Sequence, residues 1–223
     1  MSYYLAGPPG AGRGGDGMRV ISMVVVALIG IGALASMLVP HAAHTQQPVV
    51  PGLTPELAKV RAALDKYQDP IVAVHDGYFS TVGCVHYPAA GAPGQVPYPA
   101  GGMGVHFLNP ALMGPTVDPL KPQILVYEPV GDKLRLVAAE WFVPLATGVK
   151  ERPTLFGRPF DGPMEGHEPL MPVGLHHYDL HVWLWKANPA GMFAPTNPDV
   201  KCPAGAYSLA EVSPKIVPHG AHR

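Results

Sequence analysis

Gln123-Ile-Leu-Val-Tyr-Glu128 and Lys133-Leu-Arg-Leu-Val-Ala-Ala-Glu-Trp-Phe-Val143, joined by Pro129-Val-Gly-Asp132, decide how this chain is read. Both runs are rich in β-branched and aromatic residues, and Gly131-Asp132 between them can form a two-residue turn, so the segment predicts a β-hairpin. In that register Glu128 falls opposite Arg135, and a cross-strand ion pair is expected between them. Working outward, His177–Lys186 predicts a third strand and Met103–Leu108 a fourth, with a Pro/Gly-rich loop from Pro88 to Gly102 ahead of it. Further upstream, Thr54-Pro55-Glu56 is a helix start: Thr as cap, Pro at the first helical position and an acid at the positive end of the dipole. Leu57, Val60, Leu64, Tyr67, Ile71, Val74 and Tyr78 then recur at intervals of three and four, which predicts one apolar helix face, kinked at Asp69-Pro70 and ended near Gly77. The expected fold is α+β, an N-terminal helical hairpin packed on a mainly antiparallel β-sheet with long Pro/Gly-rich loops.

Composition narrows the classes of function. Fifteen Lys and Arg against 16 Asp and Glu leave no basic stripe for a phosphate backbone, so nucleic acid is excluded as an expected partner. From Val20 to Leu38 the chain runs without a charged residue, with Arg13 and Arg19 before it and no Lys or Arg after it until Lys59. This one-sided charge orients the remainder outward and predicts export. Residues 18–40 are read as either a signal peptide, with Ala33-Leu34-Ala35 as the cleavage pattern, or a membrane anchor through residues 20–38. Residues 1–17 are then a disordered cytoplasmic tail, or lie upstream of a true start at Met18. Residues 41–53 read as a linker, 54–203 as a single globular domain and 204–223 as a flexible C-terminal tail. The expected location is extracytoplasmic: periplasmic, secreted, or anchored to the inner membrane facing outward. The two cysteines, Cys84 and Cys202, are expected to form a disulfide in such an oxidising compartment.

Chemistry is looked for among polar residues inside apolar runs, where a side chain must find a partner or bear a desolvation cost. His106, Glu140 and His181 meet that criterion. Two imidazoles and a carboxylate from three strands form a 2-His-1-carboxylate set suited to Zn²⁺, Fe²⁺ or Cu²⁺, expected beneath the helical hairpin. Alternation along the strand puts His177 and Asp179 on the face of His181, as further ligands or as groups that orient it. The loop from Phe160 to Pro169, carrying Asp161, Glu165, His167 and Glu168, is a lid or solvated surface. Other signatures are missing: no HExxH, since Pro169 follows His167-Glu168; no G-x-S-x-G; no G-x-G-x-x-G after a strand; and no Met-x-x-Met or His-x-His cluster of a copper carrier.

Three segments, Met103-Gly-Val-His-Phe-Leu-Asn-Pro-Ala-Leu112, Leu136-Val-Ala-Ala-Glu-Trp-Phe-Val-Pro144 and Leu180-His-Val-Trp-Leu-Trp through Asn197-Pro198, resemble an uncharacterised family of exported bacterial proteins. The resemblance covers roughly residues 60–202 and implies an exported unit, without implying an activity. Two functions stay open: an exported domain with a His/Glu metal or small-ligand site, or a non-catalytic structural or interaction domain in which the same groups form a core polar network.

Overall fold

The structure, a computed structural model, describes residues 49–205 and 207–220. Both the expected N-terminal tail and the export segment lie outside the described residues, and among those described no helix is long and apolar enough to cross a membrane. The fold is mostly β, not α+β. Helix α1 (Pro55–Leu64) runs through a 3-10 turn (Asp65–Gln68) to give one substantial helix of 14 residues, and a short α2 (Pro70–His75) follows. The expected helical hairpin is absent, because α1 and α2 make almost no direct contact.

The reason lies in which apolar residues found a surface. Thr54 caps α1 by accepting from the Leu57 amide at 3.2 Å, and Leu57, Val60, Leu64 and Tyr67 are buried as the spacing required. Beyond Pro70, Asp69 restarts the helix as a fresh cap, with the Ile71 amide donating to it at 2.9 Å. There the face rotates: Ile71 and Val74 are 61 and 52% exposed, and Ala73 is buried instead. A three-four spacing carried across a proline does not preserve a common face, since the break resets the helical phase.

Among the described residues nine strands follow: β1 (Phe79–Tyr87), β2 (Gly101–Leu108), β3 (Ile124–Val130), β4 (Lys133–Pro144), β5 (Thr154–Leu155), β6 (Arg158–Pro159), β7 (Asp161–Met164), β8 (His177–Val182) and β9 (Ser208–Ala210). Seven form one curled sheet in the order β7-β8-β4-β3-β2-β1-β9, while β5 and β6 make a separate small hairpin. All neighbours in the large sheet are antiparallel except β1 and β9. The β3–β4 hairpin turns at Gly131-Asp132, where Gly131 takes φ +60°, as the first central position of a type II′ turn requires. Glu128 does face Arg135 in the ladder, but its carboxylate pairs with Lys186, whose Nζ lies 3.0 and 3.1 Å from the two oxygens.

The stretch expected as a flexible tail instead supplies β9, buried Glu211 and Ser213, and a bridge from Ile216 to Met164. A disulfide between Cys84 and Cys202 fastens this returning chain to β1 across a separation of 118 residues. The two sides of the sheet differ in kind. On one, Leu125, Tyr127, Ala139, Trp141, Val143, Tyr178, Leu180 and Val182 join α1 in the main apolar core. Their neighbours along the same strands face the other side, and that side carries the candidate site.

Candidate metal centre

Alternation along a strand sends successive side chains to opposite faces. Glu140 of β4 and His181 of β8 are direct cross-strand partners, and His106 of β2 stands one row away, opposite Val126 of β3. The three expected residues therefore meet. Glu140 Oε2 lies 3.2 Å from His181 Nε2 and 3.5 Å from His106 Nε2, and the two imidazoles stand edge-on with 6.3 Å between centroids. All three are buried, His106 at 8%, Glu140 at 3% and His181 at 1% exposure. Their location corrects one expectation: they lie on the face away from α1, because Phe107, Trp141 and Leu180, each adjacent in sequence to one of them, occupy the helix-facing core.

These contacts are close without being aligned hydrogen bonds. Glu140 Oε2 and both nitrogens of His181 lack a hydrogen-bond partner, and so does His106 Nδ1. Burial by itself would push Glu140 up, but His181 and His106 outweigh it and hold the carboxyl below the usual carboxylate range. Burial would likewise lower His181, and the surrounding acids Glu140, Asp179 and Asp161 reverse this and hold it above the usual imidazole range. For His106 burial wins over Glu140, and its pKa is lowered. Without a metal, the trio is a buried carboxylate–imidazolium pair beside a neutral imidazole.

His177 and Asp179 do not complete that trio. They join His167, and one ligand atom from each of these three residues lies within 4.8 Å of the others, as in the first group. His177 donates from Nδ1 to the Leu175 carbonyl at 3.0 Å, and its Nε2 is 3.8 Å from Asp179 Oδ2. His167 Nδ1 is 3.0 Å from the Tyr87 hydroxyl, which donates to Glu211 Oε2 at 3.0 Å. Tyr98 donates to Asp179 Oδ2 at 3.1 Å. Burial pushes His177 down to about 4 and His167 well below the imidazole range, and it pushes Asp179 well above the carboxylate range and Glu211 up to about 7.

Both groups border one cavity of about 210 Å³, lined on its polar side by His106, Glu140, His167, Asp179, His181 and Glu211. Leu108, Ile124, Phe142, Leu170 and Leu175 form apolar walls. A water occupies about 30 Å³ of liquid, so this volume admits several waters or a small ligand. The 160–169 loop supplies part of the wall. His167 is buried in it and not solvated, fixed where the Met171 amide donates to the His167 carbonyl at 2.7 Å and the Gly166 amide to the Val173 carbonyl at 3.0 Å.

Tyr87, Tyr98, Met164 and Glu211 surround these groups as well, beyond the residues expected from the sequence. Glu211 carries a signal of the kind that singled out His106, an acid within the apolar run Leu209-Ala-Glu-Val212. Tyr87 and Met164 in strands and Tyr98 in the loop before β2 look like ordinary core, so nothing in their local sequence marks these three. Comparison of the chain with family models, with curated proteins and with solved structures finds no match.

Proposed function

We propose that this is an exported protein whose sheet carries a metal centre, with His106, Glu140 and His181 as the protein ligands of a divalent transition ion. One observation carries the reading: ligand atoms from three separate strands lie within 4.8 Å of one another, buried, and the Glu140 and His181 atoms that face each other lack an aligned hydrogen bond. Two imidazoles and one carboxylate suit Zn²⁺, Fe²⁺ or Cu²⁺. The cavity beside them leaves coordination positions for water or a small ligand, which favours a reactive or ligand-binding site over a closed structural one. Export is supported by the apolar run Val20–Leu38 and by the Cys84–Cys202 disulfide, which belongs in an oxidising compartment.

The competing reading, a structural or interaction domain with a core polar network, is favoured by the charge balance of the Glu140–His181 pair, which needs no ion for neutrality. Metal content decides between them. The full chain, purified without a His tag, is expected to hold metal that His181→Ala loses, and its melting temperature should fall on chelation. An ion at one hundred times its Kd stabilises by about 2.7 kcal/mol. No bound metal, with a melting temperature indifferent to chelator and to added Zn²⁺ or Cu²⁺, leaves only the structural reading. For export, a reporter fused after Arg223 should be active outside the cytoplasm, and activity confined to the cytoplasm refutes it.

A further inference from the structure

We propose that His167, His177 and Asp179, with the thioether of Met164 as a fourth donor, form a second metal site that takes copper in its reduced form, Cu(I). The proposal uses residues outside the first trio and does not depend on it. All three are buried, at 8, 0 and 1% exposure, and one ligand atom of each lies within 4.8 Å of the others.

Each donor is oriented from behind, as metal ligands are. The Leu175 carbonyl can only accept, so His177 carries its proton on Nδ1 and presents Nε2 as a bare lone pair, which has no partner. Asp179 is held at Oδ2 by Tyr98, and its Oδ1 has no partner. His167 Nδ1 meets the Tyr87 hydroxyl at 3.0 Å, and when Tyr87 gives its single proton to the Glu211 carboxylate, Nδ1 donates to the tyrosine oxygen and Nε2 carries the lone pair. That nitrogen lies 3.4 Å from Met164 Sδ, and Met164 is the cross-strand partner of His177. Metal-free, the nitrogen and the sulfur share only a weak N–H···S hydrogen bond in the other tautomer, and the Tyr98 hydroxyl also contacts the sulfur at 3.2 Å. A cation between nitrogen and sulfur would engage both.

The donor set selects the ion. A thioether is soft and neutral imidazoles are borderline, a combination that suits Cu(I) and disfavours Ca²⁺ and Mg²⁺, which require oxygen ligands. With one carboxylate, a monovalent ion gives a site of zero net charge, which matters among buried side chains. The first trio has no sulfur and a different preference, so the two sites can be told apart.

The test uses the full chain without a His tag, titrated anaerobically with Cu(I) against a chromophoric chelator and examined by copper K-edge absorption. Glu140→Gln, which disables the first trio, should still bind one Cu(I) with sulfur in its coordination shell. Met164→Leu, close in shape, should lose the sulfur signal and weaken Cu(I) binding by at least about tenfold. His177→Gln should lose that equivalent altogether; if this variant fails to fold, Met164→Leu decides alone. The proposal is overturned if Glu140→Gln binds no Cu(I), if wild-type copper shows no sulfur neighbour, or if Met164→Leu matches wild type. Failure of the first site would appear elsewhere, as equal metal content in wild type and His181→Ala with the sulfur signal intact.

Discussion

Trp141 and Glu140 are neighbours in β4, equally hidden from water, and they face opposite sides of the sheet. Trp141 belongs to the core shared with α1, and its only polar need is met where Nε1 donates to the Asp118 carbonyl at 2.9 Å. Glu140 approaches two imidazoles on the side walled by the 160–176 segment and Glu211, and it retains an unpartnered oxygen. On the helix side burial is itself the driving force, of about 25 cal/mol per Å² of apolar surface. On the cavity side burial carries a cost that each group offsets only through the others. The first kind of surface explains why the protein folds; the second calls for a use.

Substitutions on the two faces sharpen this contrast. Trp141→Ala should destabilise by about 3–5 kcal/mol, roughly 10–15 °C in melting temperature for a domain of this size, by the same amount with or without chelator. Glu140→Ala should cost a similar ~3–5 kcal/mol in metal-free protein, because it strands the His181 charge. Its deficit relative to wild type should grow when Zn²⁺ or Cu²⁺ is added, as only wild type is stabilised. Identical metal responses in the two variants would erase the distinction between the faces.

Next in size is the disulfide. Replacing Cys84 and Cys202 together by Ala should cost about 2–4 kcal/mol. The bridge fastens the segment that carries Glu211 to β1, so hydrogen exchange should rise in residues 207–216 before it rises in α1. Thiol labelling of denatured, unreduced protein should find no free cysteine.

A pH series addresses the cavity face directly. His177 is lowered to about 4, so between 6.5 and 4 the unfolded chain binds a proton that the folded protein refuses. Its contribution is therefore fully present above pH 6.5 and is lost as pH falls through 4. Melting temperature measured in chelator from pH 7.5 to 4.5 should drop less steeply for His177→Phe than for wild type, and parallel curves would refute the assignment. Smallest of all, Thr54→Ala should remove the α1 cap at a cost of about 1 kcal/mol and leave metal content unchanged.

Much of this was legible in the chain. The β3–β4 hairpin, the Thr54 cap, the buried positions 57, 60, 64 and 67, and the clustering of His106, Glu140 and His181 all rest on local periodicity or on one rule about polar groups in apolar runs. The errors arose where partners are distant. Glu128 chose Lys186, 58 residues away, over the Arg135 directly across the ladder, and α2 turned Ala73 inward in place of Ile71 and Val74.

By itself the sequence determined which residues alternate, where the chain must turn and which polar groups would be hidden, because these follow from a backbone period of two or 3.6 and from the cost of desolvation. It also determined the near balance of charge, 15 Lys and Arg against 16 Asp and Glu. Only the tertiary structure decided that the helix takes one face and the polar trio the other. Only the tertiary structure brought Tyr87, Met164, His167 and Glu211 to His177 and Asp179. Strand order and the path of the returning C-terminal segment are set by the sum of long-range packing, and no local window of residues contains that sum.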